Sequence, residues 1–426
     1  MTQLNRNFLK SSVRPSLRLF VGLAVIIVVW GCSAVPQLHE GGEMVNVRLP
    51  FVRVLVENNS PEVKISSHGS YSLEGLIGDK SYVYYSSHPI QIRPDRGMMS
   101  LSLGRDKIGE RYDEVMVMPR GGDGYLEFNG KGYRGMLRIV RHGMNLMVIN
   151  VAHIDDYLKG VVPPEMGKVG DSDLEAIKAQ AVAARTYSMS RLSQYPGESY
   201  DLRNDVTDQL YEGVEAEVPL ISKAIDATRG YVIKFQDGFI TAYYHSTCGG
   251  YTDDIEEVWD KPAAPYLRAV DDSGACSWSK YYRWHETYTA QQLKMRLEQY
   301  LSADRGREVH LDDITDIRIT SRTAGGRVAE MILKTTSRDY TFGKDKIRWV
   351  FKRSSNPELI LQSAKFDVEP LYDNNGRLIK VDFAGGGYGH GVGMCQCGAM
   401  GMARRGKKFD QILKFYYRNT NLVKLY

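Results

Sequence analysis

The sequence has no HExxH motif, no CxxC pair, no internal repeat and no low-complexity segment. Without HExxH, a zinc peptidase or zinc amidase is the weaker reading, and without CxxC any metal site must be assembled from separated residues. Acidic residues are missing from the first 39 positions, where Arg6, Lys10, Arg14 and Arg18 occur. The longest apolar run, "LFVGLAVIIVVW" (19–30), falls short of the roughly 20 residues of a bilayer-spanning helix. Charge of one sign is missing too. Of 55 Lys and Arg, four lie in that leading segment, which leaves 51 against 51 Asp and Glu. Nothing in this balance asks for nucleic acid. The one tight basic cluster, Arg404, Arg405, Lys407 and Lys408, reads as a solvated helix end.

What is present begins with an export signal. Basic residues, a short apolar run and then Gly31-Cys32 make residues 1–31 a signal peptide and Cys32 a lipidation site. Bulky Trp30 stands where a small residue is usual, which keeps a plain signal anchor as the alternative. Residues 32–46 follow as a linker, and the rest is expected outside the cytoplasm as a membrane-anchored lipoprotein facing the periplasm or cell wall. With 426 residues and 43% apolar composition, the chain can form two or three packed units.

Short alternating runs from Val47 to about residue 130, split by Gly and Asp, predict a β-rich N-terminal region over 47–130. A mixed helix and strand domain is expected over 131–426, making the class α+β. "MNLMVINVAHIDDYLKGVV" (144–162) starts as a strand and turns helical near His153, ending before an extended Pro163-Pro164 elbow. Ser172 and Glu175 form a capping-box pattern ahead of an alanine-rich helix over 172–192, which leaves Gln180 and Arg185 on its flanks. A helix closed by Gly230 precedes a strand, 289–302 reads as an amphipathic helix, and Gly325-Gly326 centres a hairpin.

Candidate chemistry gathers in three places. Glu165 follows Val161, Val162 and two prolines, and apolar neighbours raise a carboxyl's pKa, as a proton donor to a glycosidic oxygen requires. An ordinary surface glutamate after a turn is the alternative. His245 and Cys248 lie three apart beside Gly249-Gly250, with Cys276 and His285 downstream, offering nitrogen and sulfur ligands for zinc. A Cys248–Cys276 disulfide and a buried histidine are the competing assignments. In "GGGYGHGVGMCQCGAMGMA" (385–403), six of the nine residues from Gly385 to Gly393 are glycine. Such bare backbone lets a sugar or another loop approach His390. Cys395 and Cys397 follow, too close in sequence for an easy mutual disulfide.

Eleven separated segments then agree in order: "IDDYLKGVVPPEM", "LEAIKAQAVAARTYS", "DQLYEGVEAE", "ATRGYVI", "YYHSTCGGYT", "VWD", "PYLRAV", "GRVAEMIL", "IRWVF", the glycine-rich stretch and "ILKFYYRNT". On these the chain, over residues 131–426, resembles the stage II sporulation protein D (SpoIID/LytB) family. The resemblance implies a lytic transglycosylase of peptidoglycan that cleaves MurNAc-GlcNAc linkages of glycan strands, some members preferring strands stripped of peptides. It implies Glu165 as the catalytic residue, Gln180, Arg185, Tyr187 and His390 as substrate-binding residues, and structural zinc on His245, Cys248 and Cys276 with the fourth ligand unassigned. The sequence departs from the commoner "GVGMSQ-x-GA" at Cys395, and Cys397 is unusual. A non-catalytic glycan-binding protein that stimulates a cell-wall amidase is the other function the resemblance allows.

Overall fold

The computed structural model describes residues 34–38 and 44–48 as backbone and residues 50–122, 124–192, 194–205 and 207–426 in full. The signal segment 1–31 and Cys32 lie outside the described residues. In and just beyond the stretch 32–46 expected to be a linker, the strands Ala34–Leu38 and Met44–Arg48 pair antiparallel.

Period-two alternation builds the first unit. Val52 and Val54, Val63 and Ile65, Tyr71 and Leu73, Ile90 and Ile92 all face one shared core. Their strands form a seven-stranded sheet (order 202–203, 51–60, 145–153, 136–142, 114–119, 71–77, 80–86) and a six-stranded one (131–133, 126–128, 63–67, 90–95, 98–103, 106–112). All neighbours pair antiparallel except the short edge strand Leu202–Arg203. Met136–His142 and Asn145–His153 are interior members of the first sheet, so the division expected between 130 and 131 falls within one strand-built unit rather than beside it.

His153 ends the sheet and starts the helical unit. Its Nδ1 accepts from the Asp155 N–H at 3.2 Å and caps α1 (Ile154–Met166). Pro163 and Pro164 lie inside the last turn of α1, not in an extended elbow after it. Pro164 has no N–H to offer the carbonyl of Gly160 four residues back, and the N–H of Glu212 supplies that bond at 3.1 Å. A side chain at residue 160 would meet the Tyr211 ring at 2.6 Å and the Gly213 carbonyl at 2.9 Å, so only glycine lets that substitute donor come close.

The expected Ser172 and Glu175 capping box is not formed. Asp171–Asp173 makes a 3-10 turn closed by Gly170 N–H to Asp173 Oδ2 (3.1 Å), and Glu175 instead accepts from the Phe409 N–H at 2.9 Å. From there α2 (Leu174–Arg191) runs with Ala176, Ala179, Ala181, Ala183 and Ala184 all fully buried. Small side chains on every face let α1, α3 (Pro219–Ala227) and the C-terminal helices pack around it. Thr228, not the expected Gly230, caps α3; Gly230, at φ +76°, ends the turn that leads into the strand Tyr231–Phe235, which pairs with the terminal strand Asn421–Lys424.

The chain continues through the short α4 (Ile255–Val258) into a unit over 284–385 with its own core, including Trp284, Leu293, Leu297, Met331, Phe351 and Phe383. Two three-stranded sheets, α5 (Ala290–Arg305) and α6 (Ile347–Phe351) enclose it. The hairpin Ile314–Arg322 with Val328–Thr335 turns at Gly325-Gly326 as expected. The glycine-rich stretch then leads back to the helical unit, ending in α7 (Gln396–Arg404) and α8 (Phe409–Tyr416). Among the described residues, no helix is long and apolar enough to cross a membrane.

Candidate active-site pocket and metal cluster

The end of α1, the end of α2, the loop 207–210, Tyr243-Tyr244, Trp259 to Lys261 and His390 converge on a cavity of about 510 Å³. The last turn of α1, closed at Gly167, leaves Glu165 half-buried in this cavity. Burial pushes its carboxyl up to about 7. The opposing wall is aromatic. Tyr187 and Tyr243 lie with centroids 6.0 Å apart, Tyr243 and Trp259 4.9 Å, and Trp259 and His390 4.7 Å. Two cations sit on these rings, Arg191 over Tyr187 at 4.9 Å and Lys261 over Tyr243 at 4.8 Å. Apolar ring faces edged by charged donors suit a sugar, whose C–H faces stack while its hydroxyls and acyl oxygens accept.

Of the expected substrate contacts, Tyr187 and His390 line the cavity; Gln180 and Arg185 do not. Both are fully buried in the helix packing. Arg185 donates from Nε to Asp155 Oδ1 at 2.8 Å and from its terminal nitrogens to the carbonyls of Tyr231 and Ile225. It is a core ion pair that fixes α1 against α2. His390 reaches the cavity through its ring only, because both nitrogens are engaged. Nε2 donates to the Tyr244 carbonyl at 2.9 Å, and Nδ1 accepts from the Val392 N–H at 3.0 Å. Burial lowers its pKa to about 4.

The approach to His390 is made by the protein's own loops. A side chain at residue 391 would lie 2.1 Å from the Arg327 guanidinium. The backbone there has φ +89°, so glycine is required on both counts. Main-chain bonds from Tyr388 to Thr247 and from Asp253 to Gly391 hold the stretch against the segment 243–253.

That docking completes a second site. Cys248, Asp272, Cys276 and Cys395, all buried, place one ligand atom each within 4.8 Å of one another. The four cysteines among the described residues are free thiols, with Cys248 and Cys276 Sγ at 3.5 Å. Cys248 Sγ donates to Asp272 Oδ2 at 3.1 Å, and Cys395 Sγ accepts from the N–H groups of Cys248 and Gly398, each at 3.2 Å. The Cys276 thiol is pulled low by its hydrogen bond with Cys248, while Cys248 and Cys395 are pushed up, and burial raises Asp272 to about 6. Without a cation such a group cannot ionise together. Three thiols and a carboxylate fit a tetrahedral divalent ion.

His245, expected as a ligand, is not in this cluster. The parallel pairing of Tyr244-His245 with Met394-Cys395 turns its Nδ1 to the Val392 carbonyl at 3.2 Å. Cys395 and Asp272 complete the group of four, one in the place expected for His245 and the other in the fourth place left unassigned. Cys397 lies outside, its carbonyl accepting from Trp278 Nε1 at 3.1 Å. The pocket also contains residues that sequence reading did not single out: Arg191, Asp208, Gln209, Tyr243, Tyr244, Trp259 and Lys261. Asp208, Gln209, Tyr243, Tyr244 and Trp259 lie in "DQLYEGVEAE", "YYHSTCGGYT" and "VWD", which carried the family resemblance without a role for each residue, whereas Arg191 and Lys261 lie outside every such segment.

A family model described as "Stage II sporulation protein" matches residues 142–235, and one described as a domain of unknown function (DUF8618) matches 275–393. An uncharacterised protein of Brachyspira hyodysenteriae is 32% identical over 351 residues, covering 81% of this chain and 87% of that one. The amidase enhancer of Bacillus subtilis is 30% identical over 303 residues, 62% of this chain and 40% of that protein. The stage II sporulation protein D of Bacillus subtilis is 31% identical over 288 residues, 63% of this chain and 74% of that one. With the glutamate, the HST motif and the glycine-rich stretch joined in one structure, the chain belongs to the stage II sporulation protein D (SpoIID/LytB) family.

Proposed function

We propose that the chain acts at the bacterial cell wall as a peptidoglycan lytic transglycosylase. The observation that carries this reading is Glu165, a carboxyl raised to about 7 by burial in a sugar-sized aromatic cavity. Half-protonated near neutral pH, it can protonate the glycosidic oxygen between N-acetylmuramic acid and N-acetylglucosamine. The resulting carboxylate then takes the proton of the muramoyl C6 hydroxyl, whose oxygen bonds to C1 as the glycosidic bond breaks. Water is not consumed, and the products are a 1,6-anhydromuramoyl end and a free 4-hydroxyl. One carboxyl suffices because the nucleophile lies within the substrate.

The cavity's other carboxyl, Asp208, accepts at Oδ2 from the Tyr195 hydroxyl and the Arg203 N–H, both at 2.9 Å, which ties it to its loop. Were Asp208 to activate water, the products would be hydrolysed reducing ends, heavier by one water. Mass spectrometry of digested, peptide-free glycan therefore tests the reaction: anhydro ends support it, and hydrolysed ends alone overturn it.

The likeness to a relative named amidase enhancer supports a second reading, in which the same cavity holds glycan without cutting it while a cell-wall amidase is stimulated. Purified glycan left intact by the full chain would favour that reading. In either case the Cys248, Asp272, Cys276 and Cys395 cluster would hold a zinc ion whose chemistry is structural, linking the loops beneath the pocket. Export and an N-terminal lipid anchor on Cys32 complete the proposal. Unchanged mobility and detergent partitioning of Cys32→Ala would overturn the anchor.

A further inference from the structure

We propose that Tyr244 contacts the substrate, its hydroxyl donating a hydrogen bond to an acceptor oxygen of the glycan beside Glu165, and that Gln209 positions it for this. The proposal rests on the cavity being a glycan site. It stands on a chain of side chains whose donor directions are fixed from the protein interior.

Gln209 is buried, 1% exposed. Tyr157 Oη lies 3.2 Å from its Oε1, Ser188 Oγ lies 2.7 Å from the same oxygen, and its Nε2 lies 3.1 Å from Tyr244 Oη. An amide can be turned end for end, so the direction has to be argued. Tyr157 is fully buried, and among the described residues its hydroxyl has one partner, Gln209. If the amide nitrogen faced Tyr157, that hydroxyl proton would be buried with no acceptor. Oε1 therefore accepts from Tyr157, and Nε2 donates to Tyr244.

Tyr244 Oη is then an acceptor towards the interior and keeps its own proton for the cavity it lines. Burial first, and the neighbouring Glu165 carboxylate next, raise its phenol well above the usual range, so it remains a donor. The backbone beneath is fixed as well, since its carbonyl accepts from His390. The hydroxyls of Tyr187 and Tyr243 are engaged differently, by the long side chains of Arg191 and Lys261. Tyr244 is the cavity tyrosine held by a buried network.

The test is binding of a peptide-free GlcNAc-MurNAc tetrasaccharide, measured calorimetrically on the full chain carrying Glu165→Gln, so that affinity is read whether or not the transglycosylase reaction is right. Adding Tyr244→Phe should weaken binding roughly two- to tenfold, the value of one neutral hydrogen bond. Gln209→Glu should cost the same, because its carboxylate would accept the Tyr244 O–H and turn that donor away from the cavity. Combining the two should cost no more than either alone. Unchanged affinity in Tyr244→Phe, or losses that multiply in the double variant, would overturn the proposal. Absence of binding by the parent chain would overturn it together with the glycan-site reading, while binding without cleavage by wild type would sink only the transglycosylase. Should Gln209→Glu not fold, Tyr244→Phe alone decides.

Discussion

A carboxyl raised to about 7 has opposite consequences for reaction and for folding. For the proposed reaction it would supply a proton at neutral pH, and Glu165→Gln, which can neither give nor take it, should then cut glycan cleavage by about 10²–10⁴-fold. For folding, the proton is bound more tightly in the native state than in the unfolded chain. The stabilisation it brings is complete below the ordinary carboxyl value of 4.5 and is lost as pH rises through about 7. Glu165→Gln should therefore be more stable than wild type at pH 8, by up to roughly 3 kcal/mol, and equal to it below pH 4.5. Urea titrations of both proteins at several pH values check the sign. Arg185 makes the opposite case. It is a fully buried cation whose removal leaves Asp155 only the half-exposed Arg229 at 3.8 Å and the Tyr426 hydroxyl, so Arg185→Met should cost about 3 kcal/mol in the same measurement, with the loss appearing as unfolding and not as weaker glycan binding. The apolar neighbours of Glu165 in sequence left a surface glutamate as the alternative, and the family resemblance, not local chemistry, singled it out. The core role of Arg185 was not legible in sequence, because the carboxylate that claims it lies 30 residues away.

At the level of elements, regular periodicity was readable and the use of each end was not. The alternation of the strands appears in sequence as it does in the fold, since it follows from which face is buried, whereas α2, expected to bury one face, is packed all round with Gln180 and Arg185 inside. The last turn of α1 was misjudged because the proline rule is local. The carbonyl that Pro164 deprives is served by Glu212, far along the chain. The glycine-rich stretch teaches the same point. Its composition announces close approach, but only the fold says that Arg327 is what approaches. The metal ligands follow, since Asp272 in a turn looks like any turn aspartate until Cys395 is brought beside it. Protein purified under mild conditions is expected to contain about one zinc per chain, measured by elemental analysis. Cys395→Ser should lose the metal and lower the melting temperature. His245→Gln and Cys397→Ser, outside the cluster, should retain the metal. Loss in His245→Gln with retention in Cys395→Ser would reverse the ligand assignment.

In the whole molecule, the pocket is lined by the helical unit, its loops and His390, and the other two regions act on it from outside. The strand-built unit ends at His153, which caps the helix carrying Glu165. The 284–385 unit is tied back through a buried ion pair: Arg327, on the hairpin turn, pairs with Asp253 and donates to the carbonyls of Tyr251 and Cys248, each at 3.2 Å. The second Asp253 oxygen accepts from the Gly325 N–H at 2.7 Å. A pair this enclosed gains little over apolar packing, but removing one member leaves a bare charge. Arg327→Met should therefore destabilise by about 3–5 kcal/mol, and Asp253→Leu with Arg327→Met together should cost less than Arg327→Met alone. Because the core around Trp284, Met331 and Phe383 is separate from that of the helical unit, the damage should be local. Hydrogen exchange in Arg327→Met should rise first in 245–253 and 386–393, loosening the cluster and the His390 wall while the strands of 314–343 stay protected. Uniform loss of protection through 284–385 would mean instead that the two cores fold as one cooperative unit, with Arg327 as part of a common interior.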